Sequence, residues 1–184
     1  MSFLKEAEVH ITQGSIVDGV KWGLGDVEPL GIVLSNPCDL EHGKASFFIV
    51  AALLAADETI KISKEYKDKT VSANSNNGLS SKAWTSFRKY LTEFIHNKNI
   101  VRYYFIDTAD GIIDAPPLFV DFQLIKSIPI DTPIDNVAQL PAPYVQQMIM
   151  HFVAYTSRIG VDRVDEFHEM KLVNELANPF YKSM

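Results

Sequence analysis

The chain has 184 residues, the length of one domain or of one domain with a helical appendage, and it can bury enough surface to fold without disulfides or metal. Its 17 basic and 23 acidic residues leave a net charge of -6, and its four arginines, Arg88, Arg102, Arg158 and Arg163, never cluster, which argues against nucleic acid as a partner. The single cysteine excludes an internal disulfide and suits a reducing compartment. The N-terminus lacks a signal-peptide pattern and no apolar run approaches the ~20 residues that span a bilayer, so a cytoplasmic protein without a membrane segment is predicted.

From Glu8 to Trp22 apolar residues alternate loosely around Gln13-Gly14-Ser15, which predicts a strand that bends at Gly14 and continues. Gly23, Gly25, Asp26 and Pro29 follow as a loop. Gly23-Leu-Gly25 has no third glycine three residues on and no lysine-serine pair after it, so a phosphate cradle is not indicated. The runs Leu30 to Ser35 and Ser46 to Leu54 are almost wholly apolar and predict two neighbouring buried strands. Glu58 to Ser63 alternates like a half-exposed strand. Lys64 to Leu79, rich in Lys, Asp, Ser, Asn and Gly, is predicted to be an exposed loop.

Trp84, Phe87, Leu91, Phe94 and Ile95 recur at spacings of three and four and mark an amphipathic helix from about Ser81 to Asn97, its stripe facing the core. Val101 to Ile106 has strand composition. Asp107, Asp110 and Asp114 around Gly111 lack the spacing of a calcium loop and predict an acidic hairpin turn. Leu118 to Phe122 and Leu124 to Ile130 read as two further strands, and Pro129, Pro133, Pro141 and Pro143 as a surface connector. Tyr144 to Ile159 and a stretch from Asp162 toward Pro179 predict a pair of C-terminal helices. His168-Glu169 begins like a zinc-protease motif, but Leu172 stands where its second histidine belongs. No cofactor and no metal is expected.

The stretch between the two apolar runs holds the candidate chemistry. Cys38 could act as a thiolate nucleophile if His42, four residues on, served as its base, whereas the carboxylates of Asp39 and Glu41 oppose a thiolate there. Three readings stand: a structural cysteine beside an Asp39 turn, a binding loop of Asn36, Asp39 and Glu41 without covalent chemistry, or catalysis by Cys38 and His42 with Arg102 brought in from elsewhere. Two metal ligands at most are available, too few for a structural zinc, and no glycine-flanked serine nucleophile is present.

Gly14-Ser-Ile-Val17, Gly31-Ile-Val-Leu-Ser-Asn36 and Phe48-Ile-Val-Ala-Ala-Leu53 resemble the opening strands of the PemK/MazF family of toxin ribonucleases, over roughly residues 14–54. The resemblance implies an SH3-like barrel. It does not carry the family's chemistry, because Pro29 stands at the position of the catalytic arginine and Leu54 at that of the catalytic threonine, and neither can stabilise or assist a phosphoryl transfer.

These readings converge on an α+β protein: a small, strongly bent antiparallel sheet or SH3-like barrel over residues 1–135 with an inserted covering helix at 81–97, and a helical extension over 136–184 packed on the same domain. The function expected is a non-catalytic protein-binding or regulatory subunit of a bacterial assembly, of the toxin-antitoxin or phage-defence kind, whose partners are other protein subunits or further copies of itself. The alternatives are a divergent ribonuclease, a hydrolase dependent on Cys38, or a small-molecule sensor using the Lys64 to Leu79 segment.

Overall fold

The structure is a computed structural model that describes residues 3–64, 67–68, 81–98 and 102–157. The second predicted C-terminal helix, His168-Glu169 and nearly all of the Lys64 to Leu79 segment lie outside the described residues. The fold is α+β, as the sequence predicts: a strongly curled, half-barrel sheet of six antiparallel strands with helices against it.

In chain order the elements are β1 (Ser15–Asp18), β2 (Gly31–Val33), α1 (Pro37–Glu41), β3 (Phe47–Ala55), α2 (Ala56–Ile62), α3 (Ser81–Ile95), β4 (Tyr103–Ile106), β5 (Leu118–Pro129), β6 (Asp135–Gln139) and α4 (Tyr144–Thr156). The sheet order is β4-β5-β3-β2-β1-β6. The two apolar runs are neighbours, with Ile32 opposite Ala51, and β3 is the central strand because it is the longest stretch that can be buried on both faces. Ile32, Leu34, Ala51 and Leu53 join Tyr104, Val120, Leu140 and Met148 in one core. Val33, Phe48 and Val50 point the other way into a second, with Val17 and Ile128. Helix α4 covers the first core through Met148, Ile149 and Phe152.

Four local expectations are corrected. Glu58 to Ser63 is not a strand: residues 56–62 form α2, burying Ala56 and Thr59. Residues 8–13 are not a strand either, and Gly14, at φ +84°, donates its N–H to the Val33 carbonyl and accepts from Leu140 N–H, so it ties β2 to the end of β6 at the head of β1. The prolyl connector contains a strand, β6, which extends the sheet across residue 135, where the sequence places the end of the barrel. Finally, the two strands read at 118–130 are one, interrupted by a bulge. Ala51 pairs with Ile125 but Ala52 with Asp121, so Phe122, Gln123 and Leu124 have no opposite number, and such an insertion bends a strand and raises its twist.

The N-terminal residues cross the gap between the two ends of the curled sheet. Lys5 exchanges backbone hydrogen bonds with Gln139 on β6, the Leu4 N–H donates to Asp110 in the β4–β5 loop at 2.8 Å, and Phe3 stacks on Tyr144 at 4.4 Å. Leu4 itself is buried in the first core. Among the described residues no helix is long and apolar enough to cross a membrane.

Candidate functional site

The stretch from Asn36 to His42 folds as a short helix and not as an open turn. Pro37 occupies the first turn, where its missing N–H costs nothing, and the Asn36 side chain caps it by accepting from Cys38 N–H at 2.9 Å. His42 is the last cap and Gly43, at φ +60°, closes the helix in the left-handed conformation that glycine tolerates. Cys38 is free and exposed, and Asp39, Glu41 and His42 are exposed with it. The predicted cluster therefore does share one element. Asn36 is committed to capping, and among the described residues the Cys38 thiol makes no hydrogen bond. Beside α1 runs a groove of about 640 Å³ walled by Leu40, Glu41, Phe48 and the extended segment through Val9, His10 and Thr12.

Arg102 is not brought to this loop. It precedes β4, where Tyr103 pairs with Asp121 and Asp121 with Ala52. That is five residues up β3 from Phe47, roughly 17 Å at about 3.4 Å per residue. Its guanidinium makes a two-pronged ion pair with Asp121, Nε to Oδ1 at 2.5 Å and Nη2 to Oδ2, and lies 5.0 Å from the Tyr103 ring. Asp121 is 0 % exposed, and its Oδ1 also accepts from the Gln123 N–H. Pairing with Asp121 raises the Arg102 pKa further above its ordinary value. This carboxylate is the main polar group that sequence reasoning passes over, although one charge inside Leu118-Phe-Val-Asp-Phe122 is the signal of a buried pair.

Pro29 and Leu54 lie side by side. Leu53 N–H donates to the Leu30 carbonyl, so one step further along the same register puts Pro29 opposite Leu54. Pro29 contributes only its carbonyl, which accepts the Trp22 indole N–H at 2.8 Å, and Leu54 only an aliphatic chain.

At this end of β3 the sheet carries its second groove, about 270 Å³ between α2 and α3, lined by Ile60, Leu91, Phe94, Ile95, Phe105 and Phe119. An aromatic cluster forms its floor, with Phe94 and Phe105 meeting Phe119 edge-on at 5.4 and 5.8 Å. The α3 stripe is only partly core, since Phe87 is buried, Leu91 and Phe94 are half-buried, and Trp84 and Ile95 are each 51 % exposed. Helix α3 is held on β4 by Asn97, at φ +50°, whose amide accepts from the Phe105 N–H at 2.7 Å and donates to the Phe105 carbonyl at 3.2 Å. It mimics a neighbouring strand.

Two titratable groups meet at β4, the fully buried Tyr104 on the strand and the half-buried His151 on α4. Burial pushes the Tyr104 phenol up to about 12, and desolvation lowers the pKa of His151, whose ring meets Tyr104 edge-on at 5.4 Å. Among the described residues no three His, Cys, Asp or Glu side chains are grouped to hold a metal. Compared with protein families and with curated proteins, the chain matches none.

Proposed function

We propose that the protein is a non-catalytic binding or regulatory subunit, acting in the cytoplasm inside a bacterial assembly through contacts with other proteins. The observation that carries this reading is the α2–α3 groove. A fold with ample core elsewhere leaves Ile95 exposed on the wall of a cleft that is almost wholly apolar, and Trp84 exposed on the same helix. Exposed apolar surface concentrated in this way is characteristic of interaction sites, and about 270 Å³ suits one or two anchoring side chains better than a complete small ligand. The resemblance of residues 14–54 to PemK/MazF toxins suggests the kind of module, a toxin-antitoxin or phage-defence system. The Pro29 and Leu54 pair supports a scaffold from which cleavage chemistry is missing.

The test is affinity capture from the native host with wild type and with Leu91→Glu, alongside sedimentation of both. A stoichiometric partner, or self-association, present with wild type and lost with Leu91→Glu supports the groove. A monomer that captures nothing, or captures equally in both forms, overturns it. Incubation with total RNA separates the enzyme reading: intact RNA is expected, and cleavage abolished by Cys38→Ser or Arg102→Ala would establish a ribonuclease instead.

A further inference from the structure

One edge of β5 pairs with β3 on both sides of the bulge, and among the described residues the other edge is used only in part. β4 pairs with it from Leu118 to Asp121, and the Phe122 N–H to Arg102 carbonyl bond ends that ladder. Beyond the bulge, residues 125–129 pair with β3 alone among the described residues. The ladder fixes which backbone groups face outward. Leu34 N–H bonds the Ile49 carbonyl and Leu53 N–H the Leu30 carbonyl, so Ile49, Ala51 and Leu53 direct their polar groups to β2, and Phe48 and Val50 direct theirs to β5. Their partners Ile128 and Lys126 are thereby engaged, and Ile125 and Ser127 present N–H and C=O to the open side. Both residues are exposed.

One face of this edge is apolar. Side chains alternate along a strand, so Ile125 lies on the face of Ile49 and Phe47, and the three are 37 %, 41 % and 53 % exposed. The other face carries Lys126, whose ammonium donates to the Lys21 carbonyl. The edge is bounded by the bulge at one end and by Pro129, which has no N–H, at the other.

We propose that this edge is a strand-acceptor site for an extended segment of a partner protein that alternates apolar side chains with a carboxylate. The backbone groups require an extended chain. The strip of Phe47, Ile49 and Ile125 requires apolar residues at alternate positions, and Lys126 calls for a carboxylate between them. A second copy of this chain fits poorly in every two-fold register. Ile125 against Ser127 sets Lys126 opposite Lys126, and like charges directly opposed are unfavourable. Ile125 against itself sets Ser127 opposite Gln123, whose N–H is already given to Asp121. Ser127 against itself sets Ile125 opposite Pro129. The inference rests on the reading of the chain as a contact subunit but not on the α2–α3 groove, so the two can fail separately.

The test uses the full chain labelled with nitrogen-15. Amide exchange of Ile125 and Ser127 is expected to be at least about tenfold faster than that of Lys126 and Ile128, whose N–H groups are in the ladder. The probe peptide acetyl-Thr-Val-Glu-Val-Thr-amide should shift the Ile125 and Ser127 resonances at millimolar concentration. Ser127→Pro removes an outward N–H without touching the β3 ladder, and it should weaken the peptide at least about tenfold; Ile49→Asp, at an exposed side chain, should weaken it also, whereas Leu91→Glu should leave it unchanged. Protected Ile125 and Ser127 amides in the free protein, protection that grows with protein concentration, no shift at millimolar peptide, or binding indifferent to both Ser127→Pro and Ile49→Asp would each overturn the proposal.

Discussion

The same two strands, β3 and β5, end in opposite conditions. At one end Leu118 to Asp121 are sealed between β3 and β4 under α3, with a buried carboxylate, an arginine to match it and Asn97 closing the outer edge of β4. At the other, Gln123 to Pro129 are exposed at all but two positions, beside an exposed cysteine on a five-residue helix. The pairing between the two strands is regular on either side of the bulge, and among the described residues β4 accompanies β5 only as far as the Phe122 to Arg102 hydrogen bond. The contrast separates the part of the molecule that carries stability from the part left available for contact.

The comparison breaks most readily at Arg102. Arg102→Ala leaves Asp121 buried without its partner, a change that typically costs about 3–5 kcal/mol; since the Arg102 side chain is 36 % exposed, water can replace part of it and about 2–3 kcal/mol is expected. The loss should be read as a lower urea midpoint at unchanged slope, and a midpoint within error of wild type would show that the sealed end is not sealed by this pair. Gly31→Ala sharpens the point on β2, two strands from β5. A Cβ there would come within 2.4 Å of Val50 Cγ1, and overpacking of this kind costs about 1–3 kcal/mol.

A smaller effect is expected at the β4 edge, where Asn97→Ala removes both partners of the Phe105 backbone and should cost about 1–2 kcal/mol, with faster exchange of the Phe105 amide as its local signature. His151 gives a pH test. Its folded pKa is depressed by burial, so below the ordinary histidine value of about 6.5 the unfolded chain takes up a proton that the folded one does not. Stability is full above that pH and falls as the pH drops through the window beneath it. The difference between wild type and His151→Leu should flatten this slope, and parallel curves would exclude His151 as the cause. At the open end Cys38→Ser should change stability by no more than about 0.5 kcal/mol, and native Cys38 should react with a thiol reagent as fast as in urea.

The sequence disclosed the sealed half better than the open one. The runs 30–35 and 46–54 are apolar on both faces of their strands, and only a central position in a sheet satisfies them. Glu58 to Ser63 misleads because six residues are too few to separate a period of two from one of 3.6: the helix buries Ala56 and Thr59 at a spacing of three, and the same letters alternate. β6, Asp135-Asn-Val-Ala-Gln139, has little strand propensity of its own and forms because β1 and the Lys5 segment pair with its two edges. The bulge left its mark as the apparent gap between two strands at Gln123, but nothing local to the sequence says that the chain on either side continues along one partner. At the candidate site Asn36, Cys38, Asp39, Glu41 and His42 are nearly contiguous in sequence, so their grouping needs no fold to be read, while the place of Arg102 depends on a pairing between distant strands that spacing cannot report.

The seam at Lys5 and Gln139 also governs when this protein can be finished. During synthesis the first strand-like residues leave the ribosome well over a hundred residues before the partner that holds them, so Leu4 waits uncovered while the centre of the sheet assembles. Closing so long a loop adds little to the final entropy cost, but contacts this distant in the chain slow folding and prolong the exposure of apolar surface. The order of events is therefore written into the topology: hairpins first, clasp last.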